Sequence, residues 1–155
     1  MQTGGEFTVA VPRDRVFAFV NDPYRLAACI PGCSDLRELA PGVYAATLSN
    51  KVGPITVKFN VKVELGKVDP PSAIDATVNG DAPGLGGRLT AVATLRLGAV
   101  DDAHTRIVYT VELGLTGKLG GLGQPLFRAK SDELSKKFGA NVRAALERDP
   151  AQAGA

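Results

Sequence analysis

The chain has 155 residues, 45% of them hydrophobic and 22% charged, which is the composition of one globular domain that buries roughly 70% of its unfolded surface. Its 18 lysines and arginines against 16 aspartates and glutamates leave a net charge of +2 with no long run of one sign, which argues against nucleic-acid binding. No stretch reaches the roughly 20 apolar residues of a membrane span, and the first residues lack the apolar core of a secretory signal. We therefore expect a cytoplasmic protein.

The chain opens with one predicted strand and two short helices. Alternation of apolar and polar residues predicts a strand over Glu6 to Val11, which Pro12 ends. Helical spacing follows in residues 16–20. Asp22 is placed to cap a second short helix that begins at Pro23.

The central part of the chain, residues 34–116, changes to a period of two and predicts a meander of antiparallel strands. The clearest run is 55–65, where every odd position is apolar and every even position is polar or charged. Runs 89–97 and 107–115 repeat the pattern. In these runs the face predicted to be buried contains no charged side chain.

A long helix is predicted from Pro125 to about Arg148, with apolar residues on one stripe. At about 1.5 Å per residue it spans roughly 35 Å, enough to cross a whole sheet. We therefore predict a single α+β domain over residues 1–148, in which a curved antiparallel sheet of about seven strands wraps around the helix in a helix-grip layout. Residues 149–155 are expected to be a disordered tail.

The composition leaves two interpretations of the interior open. Aromatic residues make up only 6%, tryptophan is absent and there are 18 glycines, so the apolar content consists mostly of small side chains. Such residues form either a compact core or a sheet and helix with a gap between them. Few polar side chains are expected to enter a gap of this kind; the candidates are Tyr44, Asn79, Asp81 and Tyr109.

The cysteines and the histidine do not predict a metal site. Cys29 and Cys33 are four residues apart, but Pro31-Gly32 breaks the helix that would bring the thiols to one face. Zinc needs about four ligands, and no further Cys or His pair completes the set. His104, the only histidine, lies beside two acids in a predicted turn and is expected to be solvated.

The glycine clusters match neither common nucleotide-binding motif. Gly117-Lys118 lacks the preceding glycine and the following Ser or Thr of a P-loop, and the other clusters lack the last small residue of a dinucleotide fingerprint. One interpretation is that they only supply turns and the entry to the last helix. The other is that they hold Leu85, Leu119 and Leu122 as mobile apolar lips around a cavity mouth, able to contact a bilayer.

Several local motifs resemble the carbon monoxide dehydrogenase CoxG family, which belongs to the START-like (SRPBCC) superfamily. They are Asp22-Pro23, Cys29-Ile30-Pro31-Gly32-Cys33, Val52-Gly53-Pro54-Ile55 and Gly117-Lys118-Leu119-Gly120, and the resemblance covers residues 5 to about 146. It implies a START-like fold that holds an apolar ligand between sheet and helix. It also implies a small accessory protein of the molybdenum-containing dehydrogenase, concerned with membrane attachment and quinone and without a redox centre of its own.

Together, the uncharged inner face and the resemblance predict a non-catalytic protein that binds menaquinone or ubiquinone at the inner face of the cytoplasmic membrane, with no catalytic residue and no covalently bound cofactor. The expected lining consists of Leu26, Ile30, Pro31, Val57, Phe59, Val61, Ala91, Tyr109, Val111, Phe127, Leu134 and Phe138. Tyr109 is the expected donor to a quinone carbonyl. Two alternatives stay open: a cyclase- or hydratase-like enzyme acting on an apolar small molecule, and an adaptor that recruits the dehydrogenase to the membrane without carrying a ligand.

Overall fold

One antiparallel sheet and three helices form the fold in the computed structural model, which describes residues 1–117 and 124–148. In chain order the elements are β1 (Gln2–Val9), α1 (Arg13–Val20), α2 (Pro23–Ala27), β2 (Cys33–Ala40), β3 (Val43–Val52), β4 (Ile55–Asp69), β5 (Ala73–Ala82), β6 (Gly87–Asp101), β7 (His104–Gly117) and α3 (Gln124–Arg148). The strand order is β1-β7-β6-β5-β4-β3-β2, with all neighbours antiparallel. The predicted fold class is confirmed. The predicted tail, 149–155, lies outside the described residues.

Strand β1 begins and ends earlier than the sequence predicts. Gly4 and Gly5 interrupt the alternation, yet β1 pairs with β7 continuously from Gln2 to Val9. The ladder of hydrogen bonds stabilises the extended backbone where the local sequence is indifferent. Val11 lies beyond the strand, where its carbonyl accepts a 2.7 Å hydrogen bond from the buried hydroxyl of Thr105.

The short helix α2 has the predicted cap. The carboxylate of Asp22 accepts hydrogen bonds from the backbone N–H groups of Tyr24 at 3.0 Å and Arg25 at 3.3 Å. Pro23 occupies the first helical position, where its missing N–H costs nothing. Helix α2 therefore begins where the sequence predicts.

The face of the sheet towards α3, here called the inner face, carries the apolar side of the strand alternation. On it, Ala93 of β6 is paired with Ala76 of β5 and Val111 of β7. The side chains at odd positions of β4 point the same way, since Val61 is paired with Gly80. The sheet therefore presents small and branched apolar residues towards the helix.

Two apolar clusters fix α3 to the sheet, one near each helix end. The α1-end cluster joins Val142 and Leu146 of α3 to Val9, to Ile107 and to helix α1. The Phe127 cluster joins the first turns of α3 to the ends of three strands; its buried members are Val52, Val57, Ala82 and Phe127. The protein core is thus divided between the two ends of the helix.

Candidate ligand-binding site

Between these two clusters the sheet carries a third, which we call the sheet cluster. Its buried members are Ala46, Val61 and Leu89, and the half-buried residues packed against them come from β2 to β7. Among the described residues of α3, none belongs to this cluster. The middle of the inner face is therefore packed by sheet residues alone.

Inner-face residues between the clusters stay accessible although α3 runs from one end of the sheet to the other. Val63, Ala93 and Val111 are half-buried and belong to none of the three clusters. Leu134, at the middle of the apolar stripe of α3, has the same character. Apolar side chains on both layers thus face space that protein atoms do not fill.

Tyr109 joins the sheet to α3 at one border of this space. Its hydroxyl donates a 2.6 Å hydrogen bond to the carbonyl of Ser135, and its ring lies edge-on to Phe7 and Phe138. A Cβ atom at Gly5 or at Gly139 would come within 2.6 Å of the hydroxyl oxygen. Burial raises the pKa of this phenol, and the backbone N–H of Gly139 opposes the rise.

Polar contacts extend this attachment along the edge strand β1. The Thr3 hydroxyl donates to a carboxylate oxygen of Asp132 at 2.8 Å and lies 2.9 Å from the hydroxyl of Ser135. Further along α3, the guanidinium of Arg143 donates to the carbonyl of Thr8 at 2.7 Å. Helix α3 is therefore hydrogen-bonded to β1 over several turns.

The segment Cys29–Cys33 bridges α3 and β3 on the opposite side. The side-chain amide of Asn141 donates to the carbonyl of Cys29 at 3.0 Å, and that of Asn50 donates to the carbonyl of Pro31 at 3.2 Å. The backbone N–H of Ser49 donates to the carbonyl of Gly32 at 3.0 Å. This motif, one of those that carry the family resemblance, thus forms a wall of the site.

Most residues of the predicted lining surround this space. Leu26, Tyr109 and Phe138 lie in or against the α1-end cluster, while Val57, Phe59, Val61 and Phe127 lie in or against the other two clusters. Buried Ala91 is paired with Val78 and Leu113 on the inner face, and Val111 and Leu134 face the space. Pro31 is half-buried in the bridging segment, whereas Ile30 is 36% exposed and belongs to none of the clusters.

The predicted lips lie only partly within the described residues, and two of the polar candidates do not enter the site. Leu85 is half-buried against the Phe127 cluster, whereas Leu119 and Leu122 lie outside the described residues. Asn79 and Asp81 are exposed on the outer face, because Gly80 and Ala82 take the inner positions of β5. The expectation that these two polar residues enter the cavity was wrong.

One polar pair on the inner face was not predicted. Tyr44 is 8% exposed, and its hydroxyl donates a 3.1 Å hydrogen bond to the carboxylate of Glu38 on β2. Burial, the hydrogen bond and the negative charge of Glu38 raise the pKa of Tyr44. The sequence does not reveal the position of Glu38, because β2 carries irregular pairing on both sides of it and Asp35 has a positive φ of 56°.

The cysteines and the histidine are placed as ordinary structural residues. Cys29 is buried and Cys33 half-buried, both thiols are free, and burial raises the pKa of each. His104 lies in the β6–β7 turn, 2.8 Å from the carboxylate of Asp101. In the part of the chain that the structure describes, no three His, Cys, Asp or Glu side chains gather as metal ligands. Nor does any described helix have the length and apolar character to span a membrane.

Solved structures with the same architecture come from several bacteria. A conserved protein from Geobacillus kaustophilus has a TM-score of 0.82 and 22% identity, covering 92% of this chain and 93% of its own. The Zhui aromatase/cyclase from Streptomyces sp. R1128 has a TM-score of 0.72 and 22% identity, covering 99% and 98%. A START superfamily protein from Mycobacterium smegmatis has a TM-score of 0.74 and 10% identity, covering 95% and 97%. At these identities the likeness shows a START-like fold and nothing of activity.

Family membership comes from the sequence itself. No curated protein matches the chain. The model of the carbon monoxide dehydrogenase CoxG family matches residues 5–147, which include the bridging segment and both apolar ends of α3. The chain therefore belongs to the CoxG family, the proteins described as an accessory component of carbon monoxide dehydrogenase.

Proposed function

We propose that this protein binds a respiratory quinone, menaquinone or ubiquinone, non-covalently under α3 and catalyses no reaction itself. The observation that carries the proposal is the half-buried, uncharged middle of the inner face. Val63, Ala93 and Val111 face Leu134 across space that the two end clusters do not fill. An apolar site of this shape suits a long hydrocarbon chain.

Burial of an isoprenoid tail supplies enough free energy for such binding. One isoprene unit removes on the order of 100 Å² from water, worth roughly 2.5 kcal/mol at 25 cal/mol per Å². A few units therefore offset the loss of translational and rotational freedom on binding. No catalytic group is needed for this role.

The partner follows from the family. Because the chain belongs to the CoxG family, we assign the molybdenum-containing carbon monoxide dehydrogenase as the protein that receives the quinone. Collection of quinone from a bilayer would use the Phe127 end, where Leu85 is half-buried and Leu126 is 48% exposed. The protein would act as a peripheral carrier at the inner face of the cytoplasmic membrane.

The test fills the space and leaves the outer surface as its control. Ala93→Phe adds a ring on the inner face, and Val92→Phe adds one to the adjacent outward side chain, which is 51% exposed. We expect saturable menaquinone-2 binding by the wild type and by Val92→Phe, and at least tenfold weaker binding by Ala93→Phe. Equilibrium dialysis gives the affinities and native mass spectrometry the stoichiometry. Absence of saturable quinone binding by the wild type, or turnover of the bound molecule, would refute a non-catalytic carrier.

A further inference from the structure

The Tyr44–Glu38 pair is a polar feature bordering the otherwise apolar inner face. In the sheet register Tyr44 lies between Glu38 on β2 and Val63 on β4, and Val63 is half-buried beside the space under α3. Tyr44 is on the same side of β3 as Ala46, a member of the sheet cluster. Its phenol is nevertheless in none of the three apolar clusters.

The two inner-face tyrosines differ in how freely they can change partner. The hydroxyl of Tyr109 donates to a backbone carbonyl of α3 and is enclosed by Gly5 and Gly139, so turning it away would loosen the helix. The hydroxyl of Tyr44 donates to a side chain instead, over 3.1 Å, and Glu38 is an exposed residue of the edge strand. An exposed carboxylate can rotate into water at little cost. Tyr44 can therefore redirect its proton to a ligand while the fold stays intact.

An apolar path leads from Tyr44 to the Phe127 end of the site. The sheet cluster begins beside it with Ala46 and Val61. Phe59 and Leu115 pack against both the sheet cluster and the Phe127 cluster, so the two are continuous. A ligand with a polar head at Tyr44 would have its hydrocarbon tail on this path.

The chemistry of the pair matches one kind of head. A phenol is a hydrogen-bond donor to a carbonyl oxygen, and a carboxylate is an acceptor for a hydroxyl. Resting on the proposed function, we propose that Tyr44 and Glu38 form the headgroup site. Tyr44 donates to a carbonyl oxygen of the oxidised quinone, and Glu38 accepts the O–H of the reduced form. One pair thus holds the carrier's ligand in both oxidation states.

The chain offers a matched test, because it contains three tyrosines and each can lose only its hydroxyl. Tyr44→Phe is compared with Tyr109→Phe and with Tyr24→Phe, whose side chain is 55% exposed. The probes are menaquinone-2 and 2-methyl-3-geranylnaphthalene, which has the same rings and tail without carbonyl oxygens. Equilibrium dialysis gives the ratio of the two affinities for every variant, and thermal melts establish that each is folded.

We expect Tyr44→Phe to weaken menaquinone-2 binding about 5- to 10-fold, the value of one neutral hydrogen bond, and to leave naphthalene binding unchanged. Tyr24→Phe and folded Tyr109→Phe should keep the wild-type ratio. Glu38→Ala should weaken anaerobic menaquinol-2 more than menaquinone-2. An unchanged ratio in Tyr44→Phe, or a ratio lowered only by Tyr109→Phe, overturns the headgroup assignment while the carrier function stands. If the wild type binds neither probe, the carrier function and the headgroup site both fail.

Discussion

Gly139 lies in the middle of helix α3, where glycine costs about 1 kcal/mol relative to alanine. The structure explains why an alanine does not occupy this position. A Cβ atom there would come within 2.6 Å of the Tyr109 hydroxyl oxygen and 3.4 Å of its ring. The space for that hydroxyl, and its hydrogen bond to Ser135, therefore depend on the missing side chain.

We predict that Gly139→Ala destabilises the protein by about 1–3 kcal/mol despite the better helix propensity of alanine. The Tyr109 hydroxyl must move away from the new methyl group and lose its hydrogen bond to Ser135. Urea unfolding followed by circular dichroism measures the change. Gly98→Ala is the control, because a Cβ at Gly98 meets nothing within 4 Å.

A double variant tests the assigned cause. Tyr109→Phe removes the hydroxyl that the new methyl group would strike, so Gly139→Ala should cost less in that background than in the wild type. Full additivity of the two free-energy changes would show that the clash is not with the Tyr109 hydroxyl.

Among the elements, α3 depends on unequal attachments at its two ends. The C-terminal half contacts the large α1-end cluster, through Val142 and Leu146, and is hydrogen-bonded to β1 through Arg143. In the first described turns, Phe127 is the buried residue of α3 in its cluster and is 6% exposed. The N-terminal half is therefore the part that a single substitution can release.

We predict that Phe127→Ala costs about 3–5 kcal/mol and frees the first half of α3 before the rest. Hydrogen exchange read by mass spectrometry should accelerate in peptides from 124–134 far more than in peptides from 138–148. The neighbouring substitution Leu126→Ala is the control, since that side chain is 48% exposed. Equal acceleration over the whole of α3 would contradict separate attachment of its two ends.

Strand β2 shows where sequence reasoning fails at the scale of an element. The runs 55–65 and 89–97 alternate regularly, and their faces were predicted from a period of two. In β2 the pairing shifts between Ser34 and Arg37 and again between Glu38 and Ala40. Each bulge changes which side chains share a face, so no fixed period could place Glu38.

At the scale of the whole molecule, the sequence predicts the architecture better than the site. Periodicity and proline positions give the element order, and the single charge-free face gives the inner side of the sheet. The partners of Tyr109 and Tyr44 could not be predicted, because they depend on where α3 crosses and how β2 bulges. Contacts between residues distant in sequence, such as Thr3 with Asp132, leave no periodic signal.

Four acids that lose a proton at high pH are withdrawn from water in the fold. Burial raises the pKa of Cys29, Cys33, Tyr44 and Tyr109 above their ordinary values, 9.0 for the cysteines and 10.0 for the tyrosines. Each neutral group therefore contributes stability that is fully present below its unfolded pKa and is lost as the pH rises through its folded pKa.

From these shifts we predict that the free energy of unfolding falls between about pH 8.5 and about pH 11, because the unfolded chain releases these protons before the folded chain does. Urea midpoints by circular dichroism should begin to fall as the unfolded cysteines ionise and fall further near pH 10, where the tyrosines ionise. Tyr44→Phe should flatten the upper part of this curve, since Phe has no proton to lose. Tyr24→Phe, at a side chain 55% exposed, should leave the curve as in the wild type. A curve for Tyr44→Phe as steep as that of the wild type would show that ionisation of Tyr44 costs the fold nothing, and hence that its phenol is open to water.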